Sequence, residues 1–121
     1  MQVGYVVLYV EDPEACLTFW TSVIGMVPKS EKSAGAFTIR QIGFPEQSFA
    51  IELVPLELMR GMPHGLDLAT PSMAFRVPDL SATHGELNAR GVTTSDINDM
   101  AGVTSFAFQD NEGRWFAVLG E

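Results

Sequence analysis

Positive charge is scarce in this chain. Seven Lys and Arg stand against 15 Asp and Glu over 121 residues, a formal charge of -8, and the basic residues are scattered. Such a surface repels phosphate backbones and anionic lipids, so neither nucleic acid nor a membrane is an expected partner. Cysteine is almost missing: Cys16 stands alone, cannot form an internal disulfide, and has no Cys or His neighbours at zinc-type spacing. It reads as a small core residue. Long apolar runs are missing too, since VGYVVLYV (3–10) falls well short of the roughly 20 residues that cross a bilayer. No basic flank of a secretory signal precedes it, which makes a cytoplasmic location the expectation. Histidine is limited to His64, in a connecting stretch, and His84, expected on the solvent face of a helix. No nucleophile, base and orienting group stand out as a set.

What the chain does have is apolar content. With 46% hydrophobic residues it can build one domain with a core, spanning residues 1–121, and is too short for two ordinary ones. Residues 3–10 read as a buried strand. Asp12, Pro13 and Glu14 then supply an N-cap oxygen, a residue preset for the first helical turn and an acid at the positive end of the dipole. Leu17, Trp20, Val23 and Ile24 recur at helical spacing, and Gly25 stops the helix, which is expected over 13–24. A polar loop, KSEKSAG (29–35), leaves room for one short strand around 26–31. Two strand-like runs, AFTIRQIGF and SFAIELVP, follow on either side of Pro45-Glu46-Gln47.

The second half repeats this order. SMAFRVPDL (72–80) matches YVVLYVEDP (5–13), with Asp79 in the place of Asp12, and a second helix ends at Arg90-Gly91 as the first ends at Ile24-Gly25. SFAFQD (105–110) and RWFAVLG (114–120) form a closing hairpin around DNEG. Two similar modules, about 1–55 and 71–121, are therefore joined by a connector, 56–70, whose leucines and methionines suit packing.

These pieces, above all YVVLYVEDPEACLTFWTSVIGM and FQDNEGRWFAVLGE, are similar to the glyoxalase, bleomycin resistance protein and extradiol dioxygenase superfamily, the vicinal oxygen chelate fold. The resemblance spans essentially the whole chain. It implies an α+β fold of two βαβββ modules whose curved mixed sheets form a cup, completed by a homodimer. In the superfamily's enzymes four side chains, from the first and last strand of each module, hold a divalent metal, with His, Gln or Glu as the usual ligands. Carried across, those positions fall on Tyr5, Glu52, Ser72 and Ala117. Glu52 alone is a usual ligand type, so no metal and no cofactor is expected.

If Tyr5 faces the cup, strand alternation sends Val7 and Tyr9 the same way, with Ala50 and Glu52, Arg76, Trp115 and Ala117. That lining is aromatic and apolar with two charges, the composition of a small-molecule pocket. Glu52 is expected to pair with Arg76 or Tyr5 or to meet a ligand; Arg76 bridges strands or anchors an anion; Trp115 and Tyr9 stack on a ligand or fill space. Three functions follow. The first is a binding protein, similar to the bleomycin-resistance branch, that sequesters a small organic drug or metabolite. The second is a lyase, isomerase or dioxygenase with a non-standard centre in which Glu52 is the base or holds a weakly bound metal. The third is an accessory module that mainly dimerises.

Overall fold

The computed structural model describes residues 5–60, 68, 73–100 and 103–120. The chain divides into two compact units, Met1–Pro71 and Ser72–Glu121. Each is built on one four-stranded mixed sheet, giving an α+β fold.

In the first unit, β1 (Val6–Val10) leads into α1 (Pro13–Thr18). Asp12 is extended, and its carboxylate accepts the Ala15 N–H at 3.1 Å, satisfying one of the orphan donors of the first turn. The expected helix does run on beyond Thr18, but as a widened π turn over Phe19–Val23. The Thr21 hydroxyl donates to the Leu17 carbonyl at 2.7 Å, competing for the acceptor that an α-helical Thr21 N–H would use. Gly25, at φ 100, then ends the helix in a conformation that a side chain would strain.

Strands β2 (Val27–Ala34), β3 (Phe37–Gly43) and β4 (Ile51–Pro55) complete a sheet of order β1-β4-β3-β2. Strands β1 and β4 run parallel; the other neighbours are antiparallel. Strand β2 takes in most of the short strand expected around 26–31 and runs on to Ala34 through residues expected as a loop; polar and exposed along most of its length, it lacks the alternation that marks a half-buried strand. Register puts Leu8, Val10, Ile42, Ile51 and Leu53 on one face, where all are buried, as are Cys16 and Trp20 of the helical segment. Arg40 shares that face, next to Leu53, and binds Glu14 of α1 at 2.5 Å and Glu31 of β2 at 3.5 Å. Its pKa is raised, chiefly by the Glu14 hydrogen bond, against a smaller opposing effect of burial. The connector opens with a short helix, α2 (Leu56–Arg60), which lies against β4 and buries Met59.

The second unit repeats the plan. Strand β5 (Ala74–Val77) precedes α3 (Leu80–Ala89), capped by Asp79 through the Ala82 N–H at 3.0 Å and stopped by Gly91 at φ 82. Strands β6 (Asn98–Met100), β7 (Val103–Gln109) and β8 (Trp115–Gly120) give the order β5-β8-β7-β6, with β5 and β8 parallel. Phe75, Phe108 and Phe116 meet ring to ring at 5.8 to 6.3 Å on the face that buries Phe106 and Val118. His84 does not face solvent as expected. Its ring packs edge-on against Phe106 at 4.8 Å, and its Nε2 lies 2.9 Å from the Ser95 carbonyl.

The DNEG turn is fastened by Asp110, whose side chain is fully buried. Its Oδ1 accepts the N–H groups of Glu112 and Arg114 at 2.9 Å each, and its Oδ2 accepts from the Arg114 guanidinium at 3.1 Å. Burial pulls the Arg114 pKa down, but the charges and hydrogen bonds of Asp110 and Glu112 outweigh it and leave the pKa raised.

Candidate functional site

The sheet face of the first unit opposite α1 combines apolar surface with one buried charge. Val7, Glu52 and Gln41 stand side by side across β1, β4 and β3, and Tyr9 stands beside Val54 in the next row along. Ile39, Val54 and Met59 form a buried cluster here, with Val7, Tyr9, Ala34, Leu58 and Leu68 packed against it. Part of the connector thus covers this face. Ala50 is buried as well, whereas Tyr5 precedes β1 and is 42% exposed.

Glu52 is 5% exposed. A carboxylate at that depth needs partners, because an uncompensated buried charge is costly. Among the described residues it has two, both on Oε1: the Gln41 amide nitrogen at 3.3 Å and the Lys32 ammonium at 3.3 Å. Neither is the Arg76 or Tyr5 suggested by the sequence. Lys32 stands opposite Ile39 on the edge strand β2, one row along from Gln41, and its long side chain reaches diagonally across β3. The signal was present: the Gly35 turn sets Ala34 against Phe37, and counting back pairs Lys32 with Ile39 on the Glu52 face.

The second unit carries the corresponding face in a different chemistry. Ala74, Ala117 and Ala107 stand side by side across β5, β8 and β7, where the first unit has Val7, Glu52 and Gln41. Arg76, Leu119 and Ser105 form the next row, and Trp115 stands beside Gln109. Trp115 is 49% exposed; Arg76 is exposed and makes no ion pair among the described residues. Ser72 and His64 lie outside the described residues.

A tight divalent-metal site needs three or more carboxylate, imidazole or thiolate donors. Of the four carried-over positions, Ala117 offers a methyl group, Tyr5 a neutral phenol, and Glu52 a carboxylate already held by an ammonium. No group of three or more His, Cys, Asp and Glu is arranged to hold a metal among the described residues. These residues do not fit the group. No helix among them is long and apolar enough to cross a membrane.

A family model described as "Glyoxalase/Bleomycin resistance protein/Dioxygenase superfamily" matches residues 2–118. An uncharacterized protein of Bacillus subtilis (strain 168), YetH, is 26% identical over 97% of this chain and 96% of its own length. Among solved structures, a superfamily member from Sphaerobacter thermophilus DSM 20745 superposes with a TM-score of 0.84 at 19% identity, covering 100% of this chain and 98% of the other. TnmS3, an antibiotic binding protein from Streptomyces sp. CB03234, superposes with a TM-score of 0.82 at 18% identity, covering 99% and 95%. At these identities the likeness to the solved structures concerns the fold.

Proposed function

Since the chain belongs to the glyoxalase/bleomycin resistance protein/dioxygenase superfamily, we propose that it binds a small organic molecule on the sheet face that carries Glu52, as a homodimer and without a metal. The observation that carries this reading is the first unit's sheet face, where the half-buried Val7 and Tyr9 border an apolar cluster of Ile39, Val54 and Met59 and one buried carboxylate is set beside them. Small-molecule sites combine these ingredients, a largely apolar surface for affinity and a few fixed polar groups for orientation. The second unit presents, on a sheet face of its own, an exposed indole, Trp115, and an exposed guanidinium, Arg76, on a floor of alanines. Flat, small side chains leave space over the sheet, and the indole supplies stacking area at its border. The antibiotic binding of the similarly folded TnmS3 agrees with such a use of the fold.

The absence of a metal is proposed from the donor set. An ammonium 3.3 Å from Glu52 already fills the role a cation would take there. The test is a thermal-shift screen of antibiotics, glutathione conjugates and divalent metals, each run with and without a chelator. A ligand at a hundredfold excess over its Kd stabilises by about 2.7 kcal/mol, a shift of several degrees for a domain of this size. We expect such a shift with organic compounds, unaltered by chelator. A shift produced by a divalent metal alone contradicts the reading and supports an enzyme centred on Glu52.

A further inference from the structure

The contacts of Glu52 point to the kind of ligand, an inference that rests on the binding function proposed above. Its side chain is 6% exposed, yet its charge partner, Lys32, is 60% exposed. The ammonium therefore reaches a nearly buried carboxylate from solvent, at 3.3 Å rather than the roughly 2.7–2.9 Å of a well-formed charge-assisted bond. Both contacts of Glu52 fall on Oε1, and Oε2 accepts no hydrogen bond among the described residues. Around this carboxylate lie Val7, Tyr9, Ile39 and Val54, all apolar apart from the Tyr9 hydroxyl.

We propose that Glu52 receives the protonated amine of a small organic ligand, and that Lys32 is the ammonium this amine displaces. The exchange keeps the carboxylate compensated at every stage, since one cation leaves as another arrives. Giving up Lys32 costs little once the amine replaces it, because the Lys32 side chain is largely exposed and its ammonium stays solvated when released. An incoming amine carried on an apolar stem gains what Lys32 lacks: its stem lies against the half-buried Val7 and Tyr9, and its head lies where both carboxylate oxygens can accept. Gln41, beside Glu52 in the same row, holds Oε1 in place through its amide during the exchange. The second unit has nothing equivalent, because alanines take the corresponding positions. Among the described residues there is thus one such anionic position on this row, not two.

The test uses the full chain and a matched pair of probes, 4-phenylbutylamine and 4-phenylbutan-1-ol, titrated by calorimetry into the wild type, Glu52→Gln and Lys32→Met. The amine should bind the wild type more tightly than the alcohol. Glu52→Gln should weaken the amine roughly ten- to a hundredfold, as expected for losing a hydrogen bond to a charged group, and leave the alcohol within a factor of about two. Lys32→Met should tighten the amine roughly two- to fivefold, the share lost to the competing ion pair, without effect on the alcohol. Because Lys32 is largely exposed, this variant keeps the test decisive even where Glu52→Gln fails to fold. An alcohol that binds as tightly as the amine overturns the inference and leaves the binding function standing, as does an amine affinity unmoved or weakened by Lys32→Met. Failure of both probes to bind at millimolar concentration overturns both.

Discussion

Replacing Asp110 with Asn removes one charge and one acceptor from the centre of the closing turn and leaves the rest of its geometry in place. The Asn carbonyl can still accept the N–H groups of Glu112 and Arg114, now made to Oδ1 at 2.9 Å. The amide nitrogen, however, takes the place of Oδ2 and faces the Arg114 guanidinium, donor against donor at 3.1 Å. A hydrogen bond to a charged group is worth about 1.5–3 kcal/mol, and removing one member of a buried pair costs about 3–5 kcal/mol. Arg114 is spared the full penalty, because Glu112 still holds it at 3.0 Å. The expected loss is therefore about 2–3 kcal/mol, read as a lower urea midpoint at unchanged slope. Asp110→Ala should cost roughly 4 kcal/mol or more, since it also leaves two backbone donors unpaired. Arg114→Met in the Asp110→Asn background should cost much less than in the wild type, which isolates the coupling. Because the folded-state pKa of Arg114 lies above its unfolded value, the pair's contribution through Arg114 is fully present at neutral pH and is lost only in strong alkali. An Asp110→Asn loss below about 0.5 kcal/mol would refute this account of the turn.

Asp12→Ala and Asp79→Ala should each destabilise by about 1 kcal/mol, measured by urea unfolding, because each removes an N-cap bond. Gly43→Ala should cost about 1–3 kcal/mol in the same assay: its added Cβ would stand 2.5 Å from the Phe49 carbonyl oxygen, a backbone atom that cannot rotate away. Val54→Ala should cost about 2 kcal/mol through lost burial and the cavity left beside Ile39 and Met59, and should also weaken any organic ligand found in the thermal-shift screen.

The parts of the fold that were legible in the sequence are those with a local chemical signature. Asp12 and Asp79 accept from the N–H three residues on, Gly25 and Gly91 hold left-handed backbone, and DNEG turns between β7 and β8. Three features had no such signature. Strand β2 is polar on both faces, β6 is a three-residue edge strand defined only by its pairing with β7, and the π turn depends on where the Thr21 hydroxyl points. The same limit governed the site. The resemblance put Tyr5 and Glu52 on one face and alternation added Val7 and Tyr9, but the partners of Glu52 come from β2 and β3. Their approach requires the register across the sheet, and Lys32 sat in a stretch that read as a loop.

The central claim is a binding face that needs no metal, and the metal content of the purified, untagged protein tests it most directly. Elemental analysis after dialysis should find every divalent transition metal far below one equivalent per chain, with ligand affinity unchanged by chelator. One equivalent that survives dialysis and disappears in Glu52→Ala would contradict it, because Glu52 would then be a metal ligand and not the seat of a displaceable ammonium.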